Sequence, residues 1–223
     1  YLVKEDKFKL SSNIEKVSQI ITDVYFLSLA DKSKKIVAID EGSLSKTKGY
    51  FVTDHDEKSI NGYMVSNSNE LVNTWSINLD EAEKIVAFST RTDDPVVNVG
   101  NVLGNRTVLY KYLYPNLISY AAVNENDNTL YINLIDTITG ELMYSQKHDE
   151  NEKVDINSPI NLVFGENWFV YSYFASEPIP EQRLTVVELY ESLIANEKVS
   201  DSSQNFNPLK GNIKRPEVIS KSY

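Results

Sequence analysis

Two histidines, His55 and His148, are the side chains of this 223-residue sequence best suited to proton transfer near neutral pH. Each lies among acidic residues, in Asp54-His-Asp56 and Lys147-His-Asp149, where a carboxylate could tune the imidazole. Both fall where turns are expected, so a solvated loop position is the expectation for each. Asn124-Glu-Asn-Asp-Asn128 sets oxygen-bearing side chains at the first, third and fifth places of a calcium loop. The glycine needed at the sixth place is Thr129, and the acidic residue needed at the twelfth is Ile135, so a polar hairpin turn is expected instead. There is no cysteine, which removes disulfides, thiolate metal sites and thiol nucleophiles together. Gly100-Asn-Val-Leu-Gly104 spells GxxxG but is not set in a long apolar helix, so its membrane-dimer meaning fails. No phosphate-binding glycine motif or serine elbow appears. No catalytic, metal or cofactor-binding residue is assigned, and no cofactor is expected.

Three further features concern binding and modification. Asn105-Arg-Thr107 is the one acceptable N-glycosylation sequon, because proline follows Asn157-Ser. Tyr110, Tyr112 and Tyr114 alternate along an expected strand, which puts their rings on one face, either as a partner-binding stripe or as a packing face between sheets. Trp168 and Val170 pose the same choice. Asp136-Thr-Ile-Thr-Gly140 is similar to hairpins in the blades of quinone-cofactor dehydrogenases. Its aspartate can bond nearby backbone amides while Gly140 takes positive φ.

The chain that must position these residues is 41% hydrophobic and 24% charged, an ordinary globular balance. Its aromatic content is mostly tyrosine, 14 against 8 Phe and 2 Trp, which suits half-wet strands. The net charge of −10 and pI near 4.8 exclude nucleic acid and anionic lipid as general partners. The densest basic run, Lys32-Ser-Lys-Lys35, is too short to reverse that. No apolar run approaches the ~18 residues of a membrane span, the best being Leu117 to Val123. The first residue is Tyr1 rather than Met, so a fragment of a longer protein is expected, with any membrane segment outside it.

Short apolar runs separated by polar turns recur from Val24 to Tyr190, the pattern of an all-β sandwich, barrel or propeller. The clearest unit is the hairpin of Leu117–Val123 and Thr129–Ile135, followed by Glu141–Ser145. A strand is also expected over Val108–Tyr114. Ser12-Asn-Ile-Glu15 fits a helix capping box, and Ile14, Val17, Ile20, Ile21 and Val24 fit helical as well as strand spacing. At roughly 40–50 residues per blade, residues 1–190 amount to about four blades, in a ring that is larger or incomplete. Residues 191–217 read as an irregular connector, and 218–223 as the start of a further strand.

Residues Val108 to Leu117 (VLYKYLYPNL), Leu134 to Gly140 (LIDTITG), Glu166 to Tyr171 (ENWFVY) and Thr185 to Glu191 (TVVELYE) come in the order and spacing of the largest-subunit family of the ER membrane protein complex, which they resemble. The resemblance is clear over residues 105–223 and reduces to a GYxV…WxI trace around 62–77 upstream. Ser192 departs from the family's frequent glycine, and the loops at 92–98 and 124–128 also differ. The resemblance implies a quinoprotein-like or WD40-like β-propeller on the lumenal side of the ER membrane. It further implies a non-catalytic scaffold in a complex that inserts tail-anchored and multi-spanning proteins. The partners implied are the other subunits, with client membrane proteins or lumenal chaperones beside them. The alternatives are a quinoprotein-like enzyme and a general protein-binding propeller.

Overall fold

The computed structural model describes residues 49–68, 70–91, 95–148, 153–198 and 213–223, and the backbone of three earlier strands. Among these residues every regular element is a strand. The three early strands are β1 (Ile14–Ile21), β2 (Val24–Leu29) and β3 (Lys34–Ala38), paired antiparallel in that order. The helical alternative for this segment is therefore corrected. Ile14, Val17, Ile20 and Ile21 are β-branched and lose rotamer freedom in a helix, so a pairing partner tips them to the extended form. Ser12 and Asn13, the capping residues of that alternative, lie outside the described residues.

A second sheet follows, in the order β4 (Phe51–His55), β5 (Ser59–Val65) and β6 (Leu71–Asn78). The chain falls into two compact units, Tyr1–Asp54 with Asn61–Trp75, and His55–Ile60 with Ser76–Tyr223. In the first unit Val52 and Val65 are buried, and Val65 exchanges backbone hydrogen bonds with Gly49 and Tyr50.

The second unit holds the better-defined architecture. Its first sheet has the order β7 (Glu83–Thr90), β10 (Leu117–Asn124), β11 (Thr129–Asp136) and β12 (Leu142–His148), all antiparallel. Between β7 and β10 a separate hairpin is inserted, made of β8 (Gly100–Val102) and β9 (Val108–Tyr110). The second sheet is built on β15 (Trp168–Glu177) and β16 (Glu181–Tyr190). β13 (Lys153–Val154) and β14 (Asn161–Phe164) both pair with β15, and β17 (Glu217–Ser222) adds to the far edge of β16. That sheet thus draws strands from both sides of residues 191–216.

The two sheets stack face to face. Ala121 and Val123 of β10 and Ile132 and Leu134 of β11 share one buried cluster with Phe169, Tyr171 and Val187 of the second sheet. Along β15 the pattern is strictly alternating, with Phe169, Tyr171, Tyr173 and Ala175 buried and their neighbours less so. β10 shows no such alternation. Ile118, Tyr120 and Ala122, on its other face, are as buried as Ala121 and Val123. That is why its sequence reads as a continuous apolar run.

The strand expected over Val108–Tyr114 is shorter than its apolar rhythm suggests. β9 stops at Tyr110, Lys111 makes a single bridge to Tyr190, and Tyr112 to Tyr114 are irregular. Tyr112 spends its backbone N–H on the carbonyl of Leu189, and Pro115 prevents any continuation of a ladder. The chain here leaves the inserted hairpin and enters the seam between the sheets.

Candidate functional site

The chemically richest place in the second unit is that seam. β12 runs on to His148, three residues past the expected strand end at Ser145, and the period-2 rule sets Tyr144, Gln146 and His148 on one face. His148 is thereby buried against β15. Its Nε2 lies 2.8 Å from the Tyr171 hydroxyl and its Nδ1 3.2 Å from that of Tyr173. When the imidazole is neutral it has one donor and one acceptor nitrogen, and one phenol then donates to the ring while the other accepts from it. The expectation of a solvated loop histidine is corrected, and the arrangement is a polar clamp joining the two sheets. Tyrosines two apart on β15 were the available signal, but nothing local to His148 pointed to them. His55 ends β4 and stacks on Phe88, with ring centroids 3.8 Å apart and planes 10° apart.

A second polar group closes the seam at the other end. The Tyr114 hydroxyl donates to Asp136 Oδ1 at 3.0 Å, and that of Tyr112 donates to the carbonyl of Lys214 at 2.6 Å. The two rings meet edge to face. Burial pushes the Tyr112 phenol well above its ordinary range, with Tyr114 and Asp136 adding to the effect. Burial does the same to Tyr114, opposed in part by its hydrogen bond to Asn116 and reinforced by Asp136.

The Asp136 turn forms as its residue types require. Asp136 Oδ1 accepts from the Ile138 amide at 2.9 Å, and Oδ2 accepts from the Thr139 hydroxyl at 2.8 Å. Gly140, at φ 73°, donates its own amide to the Asp136 carbonyl. The carboxylate is thus committed to the turn and to Tyr114. In the loop 124–128, Asn124 Oδ1 accepts from the Asn126 amide and Asp127 Oδ1 from that of Thr129, so these oxygens also serve their own backbone. Among the described residues, no three His, Asp or Glu side chains are grouped closely enough to hold a metal ion.

The remaining candidates separate by exposure. Tyr112 and Tyr114 are 1% exposed, so these two rings are core. Tyr110 alone keeps a solvent face, with the Lys198 ammonium 5.7 Å from its ring centroid. Asn105 is exposed in the turn between β8 and β9. Trp168 and Val170 point away from the seam. Gly165 sits against the Trp168 indole so closely that a Cβ there would come within 2.5 Å of the ring. Lys111 and Glu166 pair at 2.7 Å beside this turn, and Arg91 Nε donates to the Glu166 carbonyl at 2.7 Å.

The outward face of the second sheet is apolar over much of its width. Val163, Val170 and Val186 line up across β14, β15 and β16, and Ile219 of β17 stands opposite Glu188. Val163, Trp168, Leu184 and Ile219 are all exposed. An alternating strand with apolar residues on both faces reads in sequence as merely hydrophobic, so this surface was not singled out beyond Trp168 and Val170.

Against known families, residues 3–223 match the model described as ER membrane protein complex subunit 1, second β-propeller. The chain belongs to this family. It is an all-β member of a β-propeller domain class. It is 48% identical to ER membrane protein complex subunit 1 of Saccharomyces cerevisiae over 175 aligned residues, 78% of this chain and 23% of that protein. The Schizosaccharomyces pombe protein of the same name is 32% identical over 225 aligned positions, 99% of this chain and 24% of that one. The Gallus gallus protein is 27% identical over 222, 96% of this chain and 21% of that one. The chain therefore spans about a quarter of the length of the curated relatives it matches. The family match extends the resemblance across the upstream half, where the motifs alone were sparse.

Proposed function

We propose that this chain is a non-catalytic scaffold module of the ER membrane protein complex, lying on the lumenal side and holding subunits of a membrane-protein insertase together. Membership of subunit 1's second-propeller family supports the assembly, and the character of the site supports the scaffold role. Its titratable groups are spent inside the fold. His148 is clamped between two phenols, and Asp136 is committed to its turn and to Tyr114. What the second unit offers outward is apolar surface on the last sheet, together with Tyr110. That is the equipment of a protein that binds proteins. The other subunits are the partners proposed, with client membrane proteins and lumenal chaperones as transient visitors. Residues 1–190 carry the blades, 191–217 serve as connector, and β17 returns to complete the last sheet.

Affinity purification of the full-length protein tests this reading. Recovery together with other ER membrane subunits is expected. Recovery free of them would overturn the assignment to the complex. Stoichiometric uptake of a quinone cofactor with calcium would overturn the non-catalytic part.

A further inference from the structure

The inserted β8–β9 hairpin pairs with neither sheet of the second unit, is held to the end of β16 by Asn101 on the Tyr190 hydroxyl, and carries the sequon Asn105-Arg-Thr107 at its exposed turn. The turn is held by the Leu103 amide on the Thr107 carbonyl at 2.8 Å and by the Arg106 amide on the Leu103 carbonyl at 2.9 Å. Arg106 adopts a left-handed φ of 68°, which turns the chain sharply behind Asn105. Within the sequon, Asn105 Oδ1 accepts both the amide of Thr107, at 3.1 Å, and its hydroxyl, at 2.7 Å. The carboxamide oxygen is thus tied to threonine. Its nitrogen, Nδ2, makes no hydrogen bond among the described residues and belongs to an exposed side chain. Around it the hairpin exposes aliphatic groups, with Val102 at 72% and Leu103 at 37% of full exposure. Bare aliphatic side chains on a projecting turn favour association unless something covers them.

We infer that Asn105 is an N-linked oligosaccharide acceptor and that the glycan shields the aliphatic side of this hairpin. In the transfer, Nδ2 bonds to the anomeric carbon of a lipid-diphosphate-linked oligosaccharide. The bond from that carbon to the diphosphate oxygen breaks, the lipid diphosphate departs with the electron pair, and the amide gives up one proton. A glycan at this point displaces no packed group, because the side chain that carries it has none over it. Its place also fixes a direction. The β8–β9 turn faces open lumen rather than a tightly fitted subunit contact, since a bulky polar chain there leaves no room for one.

The inference rests on the lumenal reading of the preceding subsection, and the experiment separates the two. The full-length protein is made in ER-derived microsomes and treated with an amidase that removes N-glycans and leaves aspartate. Peptides carrying residues 105 and 157 are then read by mass spectrometry. Deamidation at Asn105 is expected in the wild type and in Thr107→Ser, and is lost in Thr107→Ala; Asn105→Gln loses the glycan shift. Pro159→Thr supplies an independent acceptor, Asn157-Ser-Thr, at another exposed turn. If Asn157 is modified there and Asn105 is not, the Asn105 site is refuted and the lumenal reading stands. If neither is modified, both are refuted.

Discussion

The two stacked sheets of the second unit share antiparallel pairing throughout, yet their central strands are packed in opposite ways. β10 is buried on both faces, whereas β15 is buried on one and partly open on the other. The consequence lies in what each strand tolerates. From Leu117 to Val123 every position of β10 is a core position, so small Ala121 and Ala122 sit beside Tyr120 to keep both neighbours at packing distance. On β15 large aromatics fill the seam, while the open side accommodates Trp168, Ser172 and Phe174 together. The middle of the first sheet, β10 with β11, is an interior layer. The second is a boundary, sealed on one side and available on the other.

Substitutions across that boundary test the contrast. Phe169→Ala empties the seam at a wholly buried ring, and chemical denaturation should show a loss of about 3–5 kcal/mol. A loss below ~1 kcal/mol there would mean that the seam is not the main bond between the sheets. His148→Ala removes a ring that bonds the hydroxyls of both Tyr171 and Tyr173 inside the protein, with an expected cost of about 1–3 kcal/mol. His148→Gln should recover part of it by reaching one phenol.

The pH dependence follows from the tyrosines at the other end of the seam. The Tyr112 and Tyr114 phenols are raised in the folded protein above the ordinary value near 10, so below that pH both states keep the proton and stability is unaffected. Above it the unfolded chain ionises first and is favoured, so stability falls by up to ~1.4 kcal/mol per pH unit for each phenol. Denaturation midpoints measured from pH 9 to 11 should drop in the wild type and drop less steeply when Tyr112 and Tyr114 are both replaced by Phe. The Tyr120, Tyr144 and Tyr190 phenols, also raised by burial, keep part of the slope. The smallest effect is expected outside the seam. Leu184→Ser, on the open face, should change stability by no more than about 0.5 kcal/mol. A loss as large as that of Phe169→Ala would show that another part of the intact protein covers this face.

What could be read from the sequence was whatever depends on neighbours a few residues apart. The hairpin of β10 and β11 and the Asp136 turn with its left-handed Gly140 were all legible, because alternation and turn chemistry are local. The burial of His148 was not. It depends on three more residues of β12 and on two phenols that arrive from β15. The irregular backbone at Tyr112 and Tyr114 was hidden for a related reason. Their spacing is that of a strand, but the backbone of Tyr112 turns to Leu189, nearly eighty residues away, and sequence rhythm carries no trace of such a bond. Of the surface features, Asn105 and its exposure were local, whereas the apolar outer face of the last sheet needs four strands in register before it exists.

The return of β17 to β16 has a consequence for the order in which this fold can assemble. β15 and β16 are joined through residues 178–180, but β16 and β17 are separated by residues 191–216. Closing the longer connection costs on the order of 2 kcal/mol more in chain entropy, a sum recovered only once the rest of the sheet is in place to receive the strand. The last sheet therefore has a late-arriving edge. During synthesis the strands up to β16 leave the ribosome and pair while β17 is still inside it, so a partner that reaches the edge of β16 first competes with the chain's own strand.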